Sequence, residues 1–198
     1  MSRTTHRRSM WVLGASLLAV ASAVPGMAKQ VAGVDVPERA QIGGDARELA
    51  LNGAGIRTKI VIKVYVGGLY VTSPTHDAAA VLADPGPQRV LIHMVRDLDS
   101  KTLADALREG LDANHTPAEL APLEARIGEL VTLLTARPTV TKDSEIFLDY
   151  VPDTGTRVIH DGKLLGTLPG ADLHQALLKI WLGSKPVDSG LKNAMLGL

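Results

Sequence analysis

No cysteine occurs in the 198 residues. Thiolate metal ligands, disulfide staples and thiol redox chemistry are therefore excluded together. A domain of ordinary size needs no disulfide, so the absence fits an oxidising compartment as well as a reducing one. Aromatic rings are almost as scarce, with two Trp, three Tyr and one Phe. That leaves little with which to stack bases, and 21 basic residues against 21 acidic give no cationic footprint. Both points argue against a nucleic-acid partner. Beyond residue 28 no apolar run is long enough to cross a bilayer.

What is present begins with a targeting signal. Arg3, Arg7 and Arg8 form a basic start, Met10 to Val24 is apolar but short for a membrane span, and small residues follow. Residues 1–28 read as a signal peptide, cleaved after Ala23 or after Ala28. The Arg7-Arg8 pair suits twin-arginine export as well as the general route. The expectation is an exported protein, periplasmic in a bacterial cell, with no integral membrane span after cleavage. Without those three Arg, 18 basic residues face 21 acidic. Residues 29–198 then form one domain, able to bury roughly two-thirds of its unfolded surface.

Periodicity divides that domain into strands, helices and strands again. Val31 to Val36 and Ala40 to Ile42 are short strands broken by Pro37. Arg47 to Leu51 leads into a small-residue turn, Asn52 to Gly55, and Ile56 to Val66 reads as one long strand. Gly67-Gly68 suggests a bulge or a close backbone approach. Asp77 to Ala83 is a short helix and Gln88 to Arg96 a strand. A helix carrying Leu103, Leu107 and Leu111 follows, with Asp97, Asp99, Asp105 and Glu109 as its solvated face. Thr116-Pro117-Ala118-Glu119 is a capping box opening a second helix with Leu120, Leu123, Ile127, Leu130 and Leu134 on one stripe. Glu145 to Tyr150, Thr156 to Ile159 and Leu164 to Thr167 form a meander with tight turns at Pro152–Gly155 and Asp161-Gly162. Asp172 to Leu182 is the last helix. The fold class is α+β, an antiparallel sheet with a layer of helices on one face.

The chemistry concentrates at Arg57. On a straight strand Ile56, Thr58, Ile60, Ile62, Val64 and Val66 share the packed face, and Arg57, Lys59, Val61, Lys63 and Tyr65 meet water. Arg57 is then either a charge on the wet side or a ligand anchor beside Gly53 and Gly55, whose backbone N–H groups can converge on an anion. Tyr65 shares its parity, but lies about 26 Å along a straight strand and meets it only if the strand folds back. No metal site is expected, since His93, His115, His160 and His174 lack ligand spacing. Ser144 and Ser184 have no Gly-x-Ser-x-Gly context, and GAGIR lacks the third Gly of a dinucleotide loop. No cofactor is implied.

LNGAGIRTKIVIKVYVGGLYV resembles the Gly-Ala-Gly-x-Arg segment and following Gly-x-Tyr of chalcone isomerases. DYVPDTGTRVIHDGKLLGTLPGADLHQALLKIWLGSKPVD resembles the hairpin-and-helix end of their bacterial chalcone isomerase-like relatives, including a Leu182-Gly183 step followed by Pro186-Val187. The resemblance covers residues 31–198 and implies a chalcone isomerase-like open-faced β-sandwich. In the enzymes an Arg stabilises the carbonyl oxygen during an intramolecular Michael addition, and by resemblance that residue is Arg57. Their supporting polar residues fall on Tyr65, Leu103, Gly110 and Ile180, so three of four donors are lost. Non-catalytic members bind fatty acids with an Arg and a Tyr on the carboxylate. The resemblance thus implies a small apolar ligand with a carboxylate or carbonyl head, fatty-acid-like, held by Arg57 with Tyr65 or Tyr70, its tail against Leu103, Leu107 and Ile180. Two alternatives stand beside it. One is an isomerase, an intramolecular lyase cyclising a flavonoid-like enone, with Arg57 as its catalytic residue. The other is a structural or partner-binding envelope protein.

Overall fold

The computed structural model describes residues 28–43 and 47–198. The signal-peptide reading of residues 1–28 lies outside them except for Ala28. Eleven strands and six helices follow in chain order: β1 Ala28–Val31, β2 Val34–Pro37, β3 Arg39–Ile42, β4 Arg47–Lys59, β5 Ile62–Val71, α1 Ala78–Ala83, β6 Gln88–Met94, β7 Leu98–Asp99, α2 Ser100–Asn114, α3 Pro117–Leu120, α4 Glu124–Leu134, β8 Thr139–Val140, β9 Glu145–Val151, β10 Gly155–His160, β11 Lys163–Leu168, α5 Ala171–Leu182 and α6 Ser189–Met195. Seven strands make one antiparallel sheet in the order β11-β10-β9-β6-β5-β4-β3. The helices cover one face, as the α+β reading expects.

Alternation along each strand sorts side chains between two cores. Val90, Ile92 and Met94 of β6 and Ile146 and Leu148 of β9 point into the larger core, beneath Leu103, Leu107 and Leu111 of α2 and Leu177, Ile180 and Trp181 of α5. The opposite face is not simply wet, which corrects the one-sided expectation. Leu49, Ala54, Val66, Tyr70, Leu91 and Val151 form a second cluster there, closed by Val36 of β2 and Ile42 of β3. Arg89 on that face holds Asp149 through two hydrogen bonds of 2.6 and 2.7 Å and lies over the Phe147 ring.

Several sequence-based boundaries change. Val31 to Val36 is not one strand, because the chain turns at Ala32-Gly33 and β1 pairs with β2 as a hairpin. Ile56 to Val66 is not one strand, because the chain reverses at Ile60-Val61 and returns as β5. Ile60 sits at φ 63°, a conformation that a β-branched side chain adopts against its preference, so no Gly or Asn announced the turn. Asn52 to Gly55 is not a turn. Asn52 is a bulge in continuous β4, and Gly53 and Gly55 are buried and paired with Leu69 and Gly67. Those glycines exist because α6 lies across them: a Cβ on Gly53 would meet the Ala194 carbonyl at 2.1 Å, and one on Gly55 the Ala194 Cβ at 2.4 Å. Of the two readings of Gly67-Gly68, the close approach holds, since a Cβ on Gly67 would press on Leu191 at 3.2 Å. The helix opening on the capping box at Thr116 is interrupted at Ala121–Leu123, a 3-10 turn containing Pro122, because proline cannot donate within a helix. Asp97 and Asp99 precede α2 rather than decorating it, and Asp99 caps it by accepting from the Thr102 backbone N–H.

One polar group is sealed in the larger core. Gln88 Nε2 donates to the Val81 carbonyl, so its Oε1 accepts from His174 Nε2 at 2.7 Å. His174 stacks on Tyr150 at 4.5 Å, and its Nδ1 is buried without a partner. Burial pushes its pKa down to about 3 from the ordinary 6.5.

Unfolding measurements on three variants test these features. Gly53→Ala, meeting backbone rather than a flexible side-chain end, should lower unfolding stability by about 2 kcal/mol. Gly128→Ala, on the open side of α4, should raise it by about 1 kcal/mol. His174 is protonated more readily unfolded than folded, so its contribution is complete above pH 6.5 and is lost as pH falls from 6.5 towards 3. Urea midpoints of wild type and His174→Gln across that window should converge on acidification.

Candidate functional site

The reversal at Ile60-Val61 places Arg57 opposite Tyr65 as a cross-strand pair. A second bulge, at Val64, lets Arg57↔Tyr65 be followed by Thr58↔Lys63. Arg57, Tyr65 and, one strand further, Met94 occupy paired register positions and so share the helix-covered face. This corrects the wet-face placement of Arg57 and Tyr65. Their separation is that of neighbours: the guanidinium carbon lies 5.6 Å from the Tyr65 ring centre. The convergence of glycine N–H groups on an anion beside Arg57 does not occur, because Gly53 and Gly55 pair within the sheet.

Around this pair the larger core opens into a slot lined by Ile92, Leu103, Ala106, Leu107, Ile180 and Trp181 among others. Its free volume is about 30 Å³, room for a water molecule or two. A polar vestibule of about 470 Å³ adjoins it, bounded by Lys59, Ile60, Glu109, Lys185 and Pro186. Arg57, Ala106 and Val187 border both spaces and form the neck between them. Among the described residues the Arg57 side chain has no hydrogen bond or ion pair, and its Nε is buried without a partner. A buried guanidinium donor left open is costly unless something else accepts from it.

Tyr65 completes the donor set. Trp181 Nε1 donates to the Tyr65 hydroxyl oxygen at 2.8 Å, which leaves the hydroxyl hydrogen to be given elsewhere. Burial raises the Tyr65 pKa to about 12, against the opposing pull of Arg57 and of the Trp181 hydrogen bond. The phenol therefore keeps its proton at neutral pH. The neck thus presents a fixed cation, and the apolar slot behind it a neutral O–H donor, an arrangement that can hold one carboxylate or one polarised carbonyl. Among the described residues no three His, Asp or Glu gather as metal ligands.

Of the residues singled out from sequence, Arg57, Tyr65, Leu103, Leu107 and Ile180 come together here. Tyr70 does not. It lies on the reverse face, donating to the Pro37 carbonyl at 2.9 Å, because residues 65 and 70 differ in parity along uninterrupted β5. Trp181, Ala106 and Val187 were missed as site residues. An indole N–H on the buried stripe of α5 was the available signal for Trp181, since a buried N–H requires an acceptor. The Leu182-Gly183…Pro186-Val187 pattern marked the third. Gly183 admits the Asn114 side chain where a Cβ would stand 2.3 Å from its Oδ1. Asn114 then grips the Lys185 backbone at both N–H and carbonyl, and the strap delivers Val187 to the neck.

Tyr65→Phe strands the Trp181 N–H and should cost about 1–3 kcal/mol at pH 8, measured by urea unfolding. Wild-type stability should also fall as pH rises from 10 through 12, because the unfolded tyrosine ionises first. That fall should be shallower in Tyr65→Phe, with Tyr70, likewise raised to about 12 by burial, supplying what remains.

Comparison with known proteins agrees with this architecture. The profile of the family described as chalcone isomerase-like matches residues 28–197. Among solved structures the chain is similar to a fatty-acid binding protein of Arabidopsis thaliana, with a TM-score of 0.59 and 16% identity, over 83% of this chain and 92% of that one. At that identity the likeness is one of fold. No curated protein matches in sequence. With the family profile extending over every element from β1 to α6, the chain belongs to the chalcone isomerase-like family.

Proposed function

We propose that the protein binds a small apolar ligand with a carboxylate or carbonyl head, fatty-acid-like in character. Arg57 and Tyr65 hold the head, and the slot between α2, α5 and the sheet takes the tail. The observation that carries this reading is the unpartnered Arg57 Nε, buried at a neck with polar space on one side and apolar lining on the other. A guanidinium–carboxylate contact in such a place contributes about 1.5–3 kcal/mol. Each buried methylene adds about 0.8 kcal/mol. The slot is narrow, so a chain enters by displacing Leu103, Leu107 and Ile180, which belong to the helices α2 and α5 rather than to the sheet. The fatty-acid binding named for the structurally similar Arabidopsis protein supports the ligand class.

Intramolecular lyase chemistry has less support. Stabilising a developing oxyanion is within reach of Arg57 and Tyr65, but the helix positions facing them are Leu103, Gly110 and Ile180, none of which can orient a phenolate. Export of the mature domain through residues 1–28 belongs to the same proposal.

Titration of the protein with a fluorescent fatty acid tests the reading, with Trp181 at the slot as an intrinsic reporter. Arg57→Ala should weaken binding by an order of magnitude or more, about 1.4 kcal/mol. Ala106→Trp should block the neck and abolish binding while the protein stays folded. No saturable binding by wild type would overturn the carrier reading. Cyclisation of a chalcone above the spontaneous rate, lost in Arg57→Ala, would put the lyase in its place.

A further inference from the structure

The turn that creates the site is itself unusual. Ile60 is 91% exposed, Val61 83% and Ile62 47%, so three consecutive β-branched residues project into solvent at the end of the β4–β5 hairpin. Their position is also conformationally unfavourable. Ile60 stands at φ 63°, where Asn, Asp or Gly would be at ease and Ile is not. Neither burial nor backbone preference accounts for these side chains. Exposed Lys59 and Lys63 flank the trio directly, and exposed Arg96 follows Val95, whose backbone N–H donates to the Val64 carbonyl. Lys185 stands across the vestibule that Lys59 and Ile60 also line. Glu109 shares that vestibule, and Asp188 is engaged by the Thr58 and Leu191 N–H groups; Asp143, Glu145 and Asp161 lie on the β9–β11 side, where His93 approaches Asp143 and Glu145 and His160 approaches Asp161.

We infer that the β4–β5 tip is a docking element for an anionic lipid surface, with Ile60, Val61 and Ile62 entering the headgroup–acyl boundary and Lys59 and Lys63 pairing with lipid phosphates. An apolar wedge flanked by amphipathic cations is what that boundary accommodates: the apolar ends go below it and the ammonium groups stay level with the headgroups. Immersion of three side chains at a hairpin tip is a peripheral attachment. Ile60 borders the vestibule, so docking sets the mouth of the slot against the bilayer. A ligand soluble in lipid then passes between membrane and neck without crossing water. This inference stands apart from the proposed ligand: the tip either immerses or does not, whatever the slot holds.

The chain has no native cysteine, so a single environment-sensitive fluorophore can be placed on the full-length protein without background. Val61→Cys carries the label at the tip. Thr154→Cys carries it in the exposed turn between β9 and β10, at the opposite end of the sheet. On vesicles of phosphatidylcholine with phosphatidylglycerol, the tip label should shift blue and brighten several-fold while the Thr154 label stays unchanged. Adding Lys59→Glu and Lys63→Glu to the tip-labelled protein should remove the response. Ile60→Asn should weaken it at least several-fold and at the same time raise the unfolding midpoint, because the turn strain is relieved. No response at the tip, or equal responses at both labels, overturns the inference. So does an equal response to phosphatidylcholine alone, which would deny the anionic surface. A blue shift that grows with protein concentration in the absence of vesicles would assign the tip to a second copy of this chain and overturn it as well. None of these readouts depends on fatty-acid binding, so the two proposals fail separately.

Discussion

A guanidinium can serve as an anchor inside an apolar layer only if its charge is held at the edge of that layer, with water or a ligand within reach. The β4–β5 reversal meets this requirement for Arg57. It pairs Arg57 with Tyr65, turns both towards the helices, and leaves the charge where the slot gives way to the vestibule. The aromatic ring accepts the cation from one side. The rest of the slot, from Leu103 and Leu107 on α2 to Ile180 and Trp181 on α5, excludes water from the other.

The neighbouring elements hold that pair in position without bonding to the Arg57 side chain. Trp181 fixes the Tyr65 hydroxyl, and burial keeps that hydroxyl protonated. Asp188 caps α6 by accepting from the Leu191 N–H while also accepting from the Thr58 N–H beside Arg57. Helix α6 in turn lies on Gly53 and Gly55 because no side chain intervenes. The small residues before Arg57 are therefore a seat for the C-terminal helix, and they contribute to the site by fixing strand position rather than by binding anions themselves.

Much of this was legible from residue order. The stripes of α2, α4 and α5, the capping box at Thr116 and the Asp161-Gly162 hairpin each rest on local chemistry, and each is present. The reversal at Ile60-Val61 was not legible, because strand-forming residues occupy a turn and every local preference argues for continuing the strand. Parity counted through that turn assigned Arg57 and Tyr65 to water. Tyr70 was misplaced for a related reason: Gly67-Gly68 looked like a break, yet the glycines accommodate Leu191 within an unbroken strand. Helix α6 left little trace because its seven residues are held by tertiary contact, not by propensity.

The two bulges carry one more consequence, for how this segment can change over time. Asn52 and Val64 each add a residue to one strand of the β4–β5 pair, and each exchanges which side of the sheet the following residues address. Between them, Gly53 and Gly55 present bare backbone to α6 and Arg57 presents its side chain to the slot. Deleting or inserting a single residue between Gly53 and Arg57 would carry Arg57 through the sheet to the reverse face, or offer α6 a side chain where it needs none. Point substitutions can alter what the site holds, but the spacing of this stretch behaves as a reading frame.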